Sequence, residues 1–181
     1  MTGRSLRLEL RDATGEVHET LHHLPDFAAL AEGRLSRDGH ARLMQRMGGF
    51  YGMLDPLMIM ASRGAEPYAY RPRAALFPGH GTGAVALPSL RSIEALAGAA
   101  YVVDGSVLGG QVLSRASAHA GSHPYWQWCC AHGATVWREA LALIDRVDTG
   151  HEARQRAITA ARDVFDAFHV WMAPAAVGAA R

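Results

Sequence analysis

Apolar residues recur from Leu6 through Leu10, Ala13, Val17, Leu21 and Leu24 in steps of three and four. That period predicts an amphipathic helix, closed at Pro25. Ser36, followed by Arg37-Asp38-Gly39, has the side chain of an N-cap for a second helix. The stripe of that helix runs through Leu43, Met47, Phe50, Tyr51, Leu54 and Met58, and Pro56 predicts a kink in it. Residues 64–88 gather Pro67, Pro72, Pro78 and Pro88 among glycines, which predicts loop with room for one short helical turn. Between Ser89 and Gly121 there is no proline, and a helical period persists despite Gly98, Gly105, Gly109 and Gly110. Two further helices are expected over 132–147 and 151–173. Strand-like alternation is almost absent, and 181 residues suffice for one sizeable core. The expected fold is an all-α helical bundle, a single domain over 1–181.

The glycines of the middle helix need a reason, because each costs roughly 1 kcal/mol relative to alanine in a helix interior. Gly105 and Gly109 stand four apart and share a face. Close helix–helix packing is one explanation. The other is a helix bared so that something flat can approach its backbone. Gly110 adds flexibility that packing alone does not demand. Spacing leaves both open.

Composition narrows the chemistry. The chain has no lysine and no asparagine; its 18 basic residues are all arginine, against 17 acidic ones, for a formal charge of +1. Being 49% hydrophobic and 19% charged, it is not a disordered chain. The balanced charge argues against a dedicated nucleic-acid binder. Without lysine there is no Schiff-base or P-loop chemistry. Met1–Leu10 lacks the apolar run of a signal peptide. The longest nearly uncharged stretch is interrupted by Pro88, Arg91, Glu94 and Asp104, so no membrane span is expected. The two cysteines, Cys129 and Cys130, are adjacent and poorly placed to pair, so a reducing cytoplasm is the expected compartment. No second cysteine pair supports a zinc site.

Ten histidines are many for this length. His18 follows Val17 on the apolar stripe of the first helix, so its ring can reach the inside of the bundle. It is either a satisfied structural residue or a metal ligand through Nε2, with Nδ1–H held by a carbonyl or a carboxylate such as Glu16 or Glu19. Glu19-Thr20-Leu21-His22 has the spacing of half a di-metal carboxylate site, but no second such motif exists. No Gly-x-Ser-x-Gly elbow marks a hydrolase.

The segment Leu10-Arg11-Asp12-Ala13-Thr14-Gly15-Glu16-Val17-His18 is similar to the proximal-helix signature of the haem oxygenases. Tyr101-Val102-Val103-Asp104-Gly105-Ser106-Val107-Leu108-Gly109-Gly110-Gln111-Val112-Leu113 resembles the distal helix of that family's bacterial form. Ser36-Arg37-Asp38-Gly39, Tyr51, Glu152-Ala153-Arg154-Gln155-Arg156 and Phe165 match in order and spacing, so the likeness covers nearly the whole chain. It is greatest to the haem oxygenases that accompany bacteriophytochromes. The resemblance implies haem sandwiched between a proximal helix and a kinked, glycine-rich distal one. His18 would be the iron ligand. Gly105 and Gly109 would lie over the distal face, with Ser106 between them and Gly110 completing the bend. Tyr51 would belong to the distal water network, and Phe165 would line the pocket. Arg11 and Arg138 would meet haem propionates, with Thr14 also on the haem-binding helix. Where the animal enzymes carry an aspartate after the first distal glycine, this chain has Ser106. Gly15 takes a position that is basic in animal sequences.

The implied activity is cleavage of haem, both substrate and cofactor, at a meso carbon to biliverdin, CO and Fe²⁺. No dinucleotide fingerprint or Fe–S cysteine pattern is present, so a ferredoxin or flavoprotein reductase is the implied electron donor, and a bacteriophytochrome a candidate acceptor of the product. Two other classes stand beside this one. The first is a haem carrier or sensor without turnover, and the second a thiaminase-like helical enzyme using Cys129 or Cys130 as nucleophile.

Overall fold

A computed structural model of the chain describes residues 5–79, 83–116 and 118–173, without the side chains of Ala118 and His119. Among these residues every regular element is helical, as the periodicity predicts. The first helix, α1 (Leu6–His22), buries Leu6, Leu10 and Leu21 along the expected stripe. Its first turn is fastened from afar, because the amide of Leu6 donates to Asp148 Oδ2 at 3.1 Å. Asp148 and Glu9 are themselves joined through Arg154.

Pro25 does not close this helix; it opens the next, α2 (Pro25–Ala31), at the first helical position. There its missing N–H costs nothing and its fixed φ suits the helix. Helix α3 (Arg37–Ser62) starts where the cap motif puts it, with Ser36 Oγ accepting from the Gly39 amide at 3.1 Å. It continues through Pro56 to Ser62, and Leu43, Met47, Phe50, Tyr51, Leu54 and Met58 are all buried. In the proline-rich loop that follows, one 3₁₀ turn forms at Ala74–Leu76.

Helix α4 (Ile93–Leu113) is capped by Ser92, whose Oγ accepts from the Ala95 amide at 3.2 Å. By length and composition it is apolar enough to cross a membrane, contrary to the expectation from its interruptions. A little over half of that apolar stretch is buried in the protein, where α4 packs most extensively against α6 (Pro124–Val147) and α7 (His151–Met172). A short α5 (Ala118–Gly121) precedes α6. Helix α6 begins at Pro124 and not near 132, because His123 Nδ1 accepts from the Tyr125 amide and caps it. Histidine is an uncommon cap, so the sequence carries no ordinary start signal there.

Gly98 explains how α4 and α7 approach so closely. A Cβ at this position would lie inside van der Waals contact with the Ala157 carbonyl, a backbone atom that cannot step aside. Gly98→Ala is therefore expected to destabilise the fold by about 1–3 kcal/mol. The check is a denaturant midpoint that falls at unchanged slope. An unchanged midpoint would mean that the two helices are free to separate.

Candidate functional site

Between these helices lies a partly open cleft of about 300 Å³. Helix α1 contributes His18 and His22 to its lining, and α7 contributes Phe165 and Phe168. The other walls come from α4, from Tyr51 on α3, and from Tyr125, Trp126 and Trp137 on α6. Most of the lining is apolar, and no Asp or Glu belongs to it among the described residues.

The His18 side chain makes no hydrogen bond to any described residue. Its ring stands edge-on to His22 at 4.6 Å between centroids and edge-on to Phe165 at 5.9 Å. Desolvation lowers its pKa, His22 adds to that, and Glu19 opposes it. The imidazole is thus neutral at neutral pH, with a nitrogen lone pair free to bind a metal. Glu19 does not hold it, because Glu19 pairs with His23 at 3.3 Å.

The α4 glycines separate into three roles. A Cβ on Gly110 would meet Cys129 Sγ at 2.7 Å, so Gly110 admits α6 rather than a ligand. A Cβ on Gly105 would stand 3.3 Å from the Trp137 ring. At Gly109 a Cβ would meet nothing within 4 Å, and that backbone lies bare to the cleft. Of the two explanations left open by spacing, packing accounts for Gly110 and approach for Gly109. Ser106, exposed to the cleft, donates its hydroxyl proton to the Val103 carbonyl at 2.8 Å. Its oxygen lone pairs remain free to accept.

Beneath this helix lies a group that the motifs do not reveal. Arg73 is fully buried, and its guanidinium donates to the Val103 carbonyl at 3.0 Å and to Asp104. Asp104 also accepts from the Tyr68 hydroxyl at 2.8 Å. Burial raises the Asp104 pKa against the pull of Arg73 and Tyr68; with two donors aimed at it, the carboxylate is the form that fits. Burial works against the charge of Arg73, but Asp104 and the surrounding tyrosines outweigh it and raise its pKa well above normal. Asp55 delivers Arg73 to this place. One carboxylate oxygen accepts from Tyr70 at 2.6 Å, and the other accepts from the amides of Arg73 and Ala74 at 2.8 and 2.7 Å.

The guanidinium also lies 5.7 Å from the Tyr51 ring. Tyr51 stacks on Phe77, and its hydroxyl stands 3.2 Å from that of Tyr125. Two hydroxyls therefore face each other at the cleft, backed by a fixed positive charge. The network cannot carry protons through Arg73, which does not deprotonate in proteins. Its effect is to hold α4 and the hydroxyls in place.

Several expected site residues lie elsewhere. Arg138 is exposed on α6 and lines a separate depression with Pro67, Tyr68 and Arg146, because the cleft side of α6 at this level is taken by Trp137. Thr14 is buried and spends its hydroxyl on the Leu10 carbonyl at 2.8 Å, so it does not line the cleft. Arg11 is not in the lining either. It is exposed, 3.5 Å from Asp12, and near enough to the lining residue Tyr101 for its charge to act on that phenol. Gly15 has open space around it. The Cys129 thiol is pushed up to about 12 by burial, the opposite of what a nucleophile needs, and Cys130 rests 3.4 Å from Ser114 Oγ.

No family model matches the chain, and no curated protein sequence matches it.

Proposed function

We propose that the chain is a haem oxygenase of the bacterial type, with a haem-oxygenase-like arrangement of its helices around the cleft. The observation that carries this reading is that one apolar cleft brings together an unpartnered neutral imidazole, His18, and a helix backbone bared at Gly109. A flat, apolar, iron-containing ring fits that pairing. When bound, the haem supplies the iron that activates O₂ and the carbon skeleton that is opened to biliverdin, CO and Fe²⁺.

The remaining roles belong to the chain. His18 would hold the iron from α1, and Phe165 packs edge-on beside that imidazole at 5.9 Å. Gly109 leaves space on the α4 side for a small diatomic and for water. Ser106, Tyr51 and Tyr125 offer hydroxyls that order water, in place of a strong acid side chain. The apolar walls would exclude bulk water from a ring held there. Electrons come from a separate reductase or ferredoxin, and haem carriage without turnover is the competing outcome.

The test is direct. Haemin, a ferredoxin system and air are added, and biliverdin is followed by its absorbance in the red. Appearance of biliverdin supports the reading; tight haem binding with none formed would favour a carrier. Gly109→Leu fills the open space at the cleft-lining Gly109 and is expected to keep haem binding while lowering biliverdin formation at least tenfold, about 1.4 kcal/mol in barrier. A normal yield from this variant would remove the steric role of Gly109.

A further inference from the structure

Trp137 is set in the lining by its own helix and by groups from two others. It projects from α6, its ring edge is 3.3 Å from where a Gly105 Cβ would be, and it lies 5.8 Å from the Tyr101 ring, both on α4. From α1, the Arg7 guanidinium sits over it at 5.8 Å. A side chain at Gly105 would crowd Trp137, and even a methyl there would press the indole back by a few tenths of an ångström. Gly105 and Gly109 are one turn apart on α4, about 6 Å along the axis. The indole therefore stands one turn from the bare backbone at which a flat ligand would lie.

We propose that Trp137 is the end wall of the cleft and a positioning residue that sets the in-plane seating of the ring. This rests on the haem reading above and sharpens it. A ring held only through His18 can turn about the iron–imidazole axis, so the choice of edge presented to Gly109 has to come from contacts at the periphery. Most of the cleft lining is apolar, and steric contact is what such a surface offers. A large rigid indole, clamped between a glycine and a cation, supplies it at one end. The choice of meso carbon then follows from the size of residue 137.

The experiment uses the full chain loaded with haemin, as wild type, Trp137→Phe, Trp137→Leu and Trp137→Ala. Absorbance spectra of wild type and His18→Ala first establish whether His18 ligates the iron. Proton NMR of the ferric cyanide complexes then reads the haem-methyl resonances, which report in-plane seating without turnover. Trp137→Ala is expected to change the ratio of seatings at least threefold, about 0.6 kcal/mol. Trp137→Phe should stay near wild type. Trp137→Leu should move in the same direction as alanine, and serves if the alanine variant does not fold. The biliverdin isomer ratio should follow the seating ratio. Unchanged methyl patterns and isomers in both small variants, with His18 ligation intact, would overturn the role of Trp137 and leave the haem reading standing. Absence of iron ligation by either His18 or His22 of α1 in wild type would overturn both.

Discussion

On the proposed haem reading, His18→Ala is expected to abolish biliverdin formation and to weaken haem binding by at least 100-fold. Loss of an outer-shell partner alone typically costs 10–100-fold in metal affinity, so loss of the ligand itself must exceed that range. The imidazole is neutral because desolvation and His22 both lower its pKa, and nothing described in the protein competes for its nitrogens. Removing it leaves a small space beside Phe165, which free imidazole can enter. Added imidazole should therefore restore part of the ligated absorbance spectrum. The neighbouring His22 sets the control, since it lines the same cleft at 4.6 Å from His18. His22→Ala should leave the spectrum unchanged, whereas the double variant should not differ from His18→Ala. If His18→Ala keeps its spectrum and His22→Ala loses it, the ligand is His22 and the assignment made from the first helix is wrong by one turn.

The parts of this fold legible in the sequence are those set by local rules. The α1 stripe, the Ser36 cap and the buried face of α3 depend on period and on one hydroxyl, and the structure has each of them. Pro25 was ambiguous by nature, because a proline both stops a helix and starts one; the seven residues after it decide for a start. The onset of α6 was hidden by a histidine acting as a cap. His18, Gly109, Ser106, Tyr51 and Phe165 do gather at one cleft. What the motifs could not say is what each glycine faces. Gly110 and Gly105 are defined by Cys129 and Trp137, side chains brought in by another helix. The same limit applies to the basic residues. In a chain whose only strong cations are arginines, nothing local distinguishes exposed Arg138 from buried Arg73. A faint signal existed in Tyr68-Ala69-Tyr70-Arg71-Pro72-Arg73, where aromatic and basic residues alternate within a loop that ought to be polar.

Arg73→Met is expected to cost about 3–5 kcal/mol of stability, the usual result of leaving a buried charge without its partner. Asp104 would keep only Tyr68 as a described donor. The cationic contacts to Tyr51, Tyr70 and Trp128, at 5.7, 5.3 and 4.9 Å, would disappear with it. Asp104→Leu should cost a similar amount for the mirror-image reason. The combined variant should recover much of the loss, because a buried pair replaced by apolar residues of similar volume is often neutral. Denaturant titration of the four proteins gives the coupling between the two residues; singles that each cost under about 1 kcal/mol would show that the pair is not structurally committed. Stability and function should part company in the double variant. Its fold returns, but the Val103 carbonyl no longer receives a guanidinium and the charge behind the Tyr51 and Tyr125 hydroxyls is gone. On the proposed reading, haem binding through His18 should then persist while biliverdin formation stays low. Arg73→Lys separates the two effects further: it keeps the charge near Asp104 but lacks the planar fork needed to reach Asp104 and Val103 together. A lysine variant that folds and turns over like wild type would assign to Arg73 only its charge, and would leave the positioning of Ser106 to α4 itself.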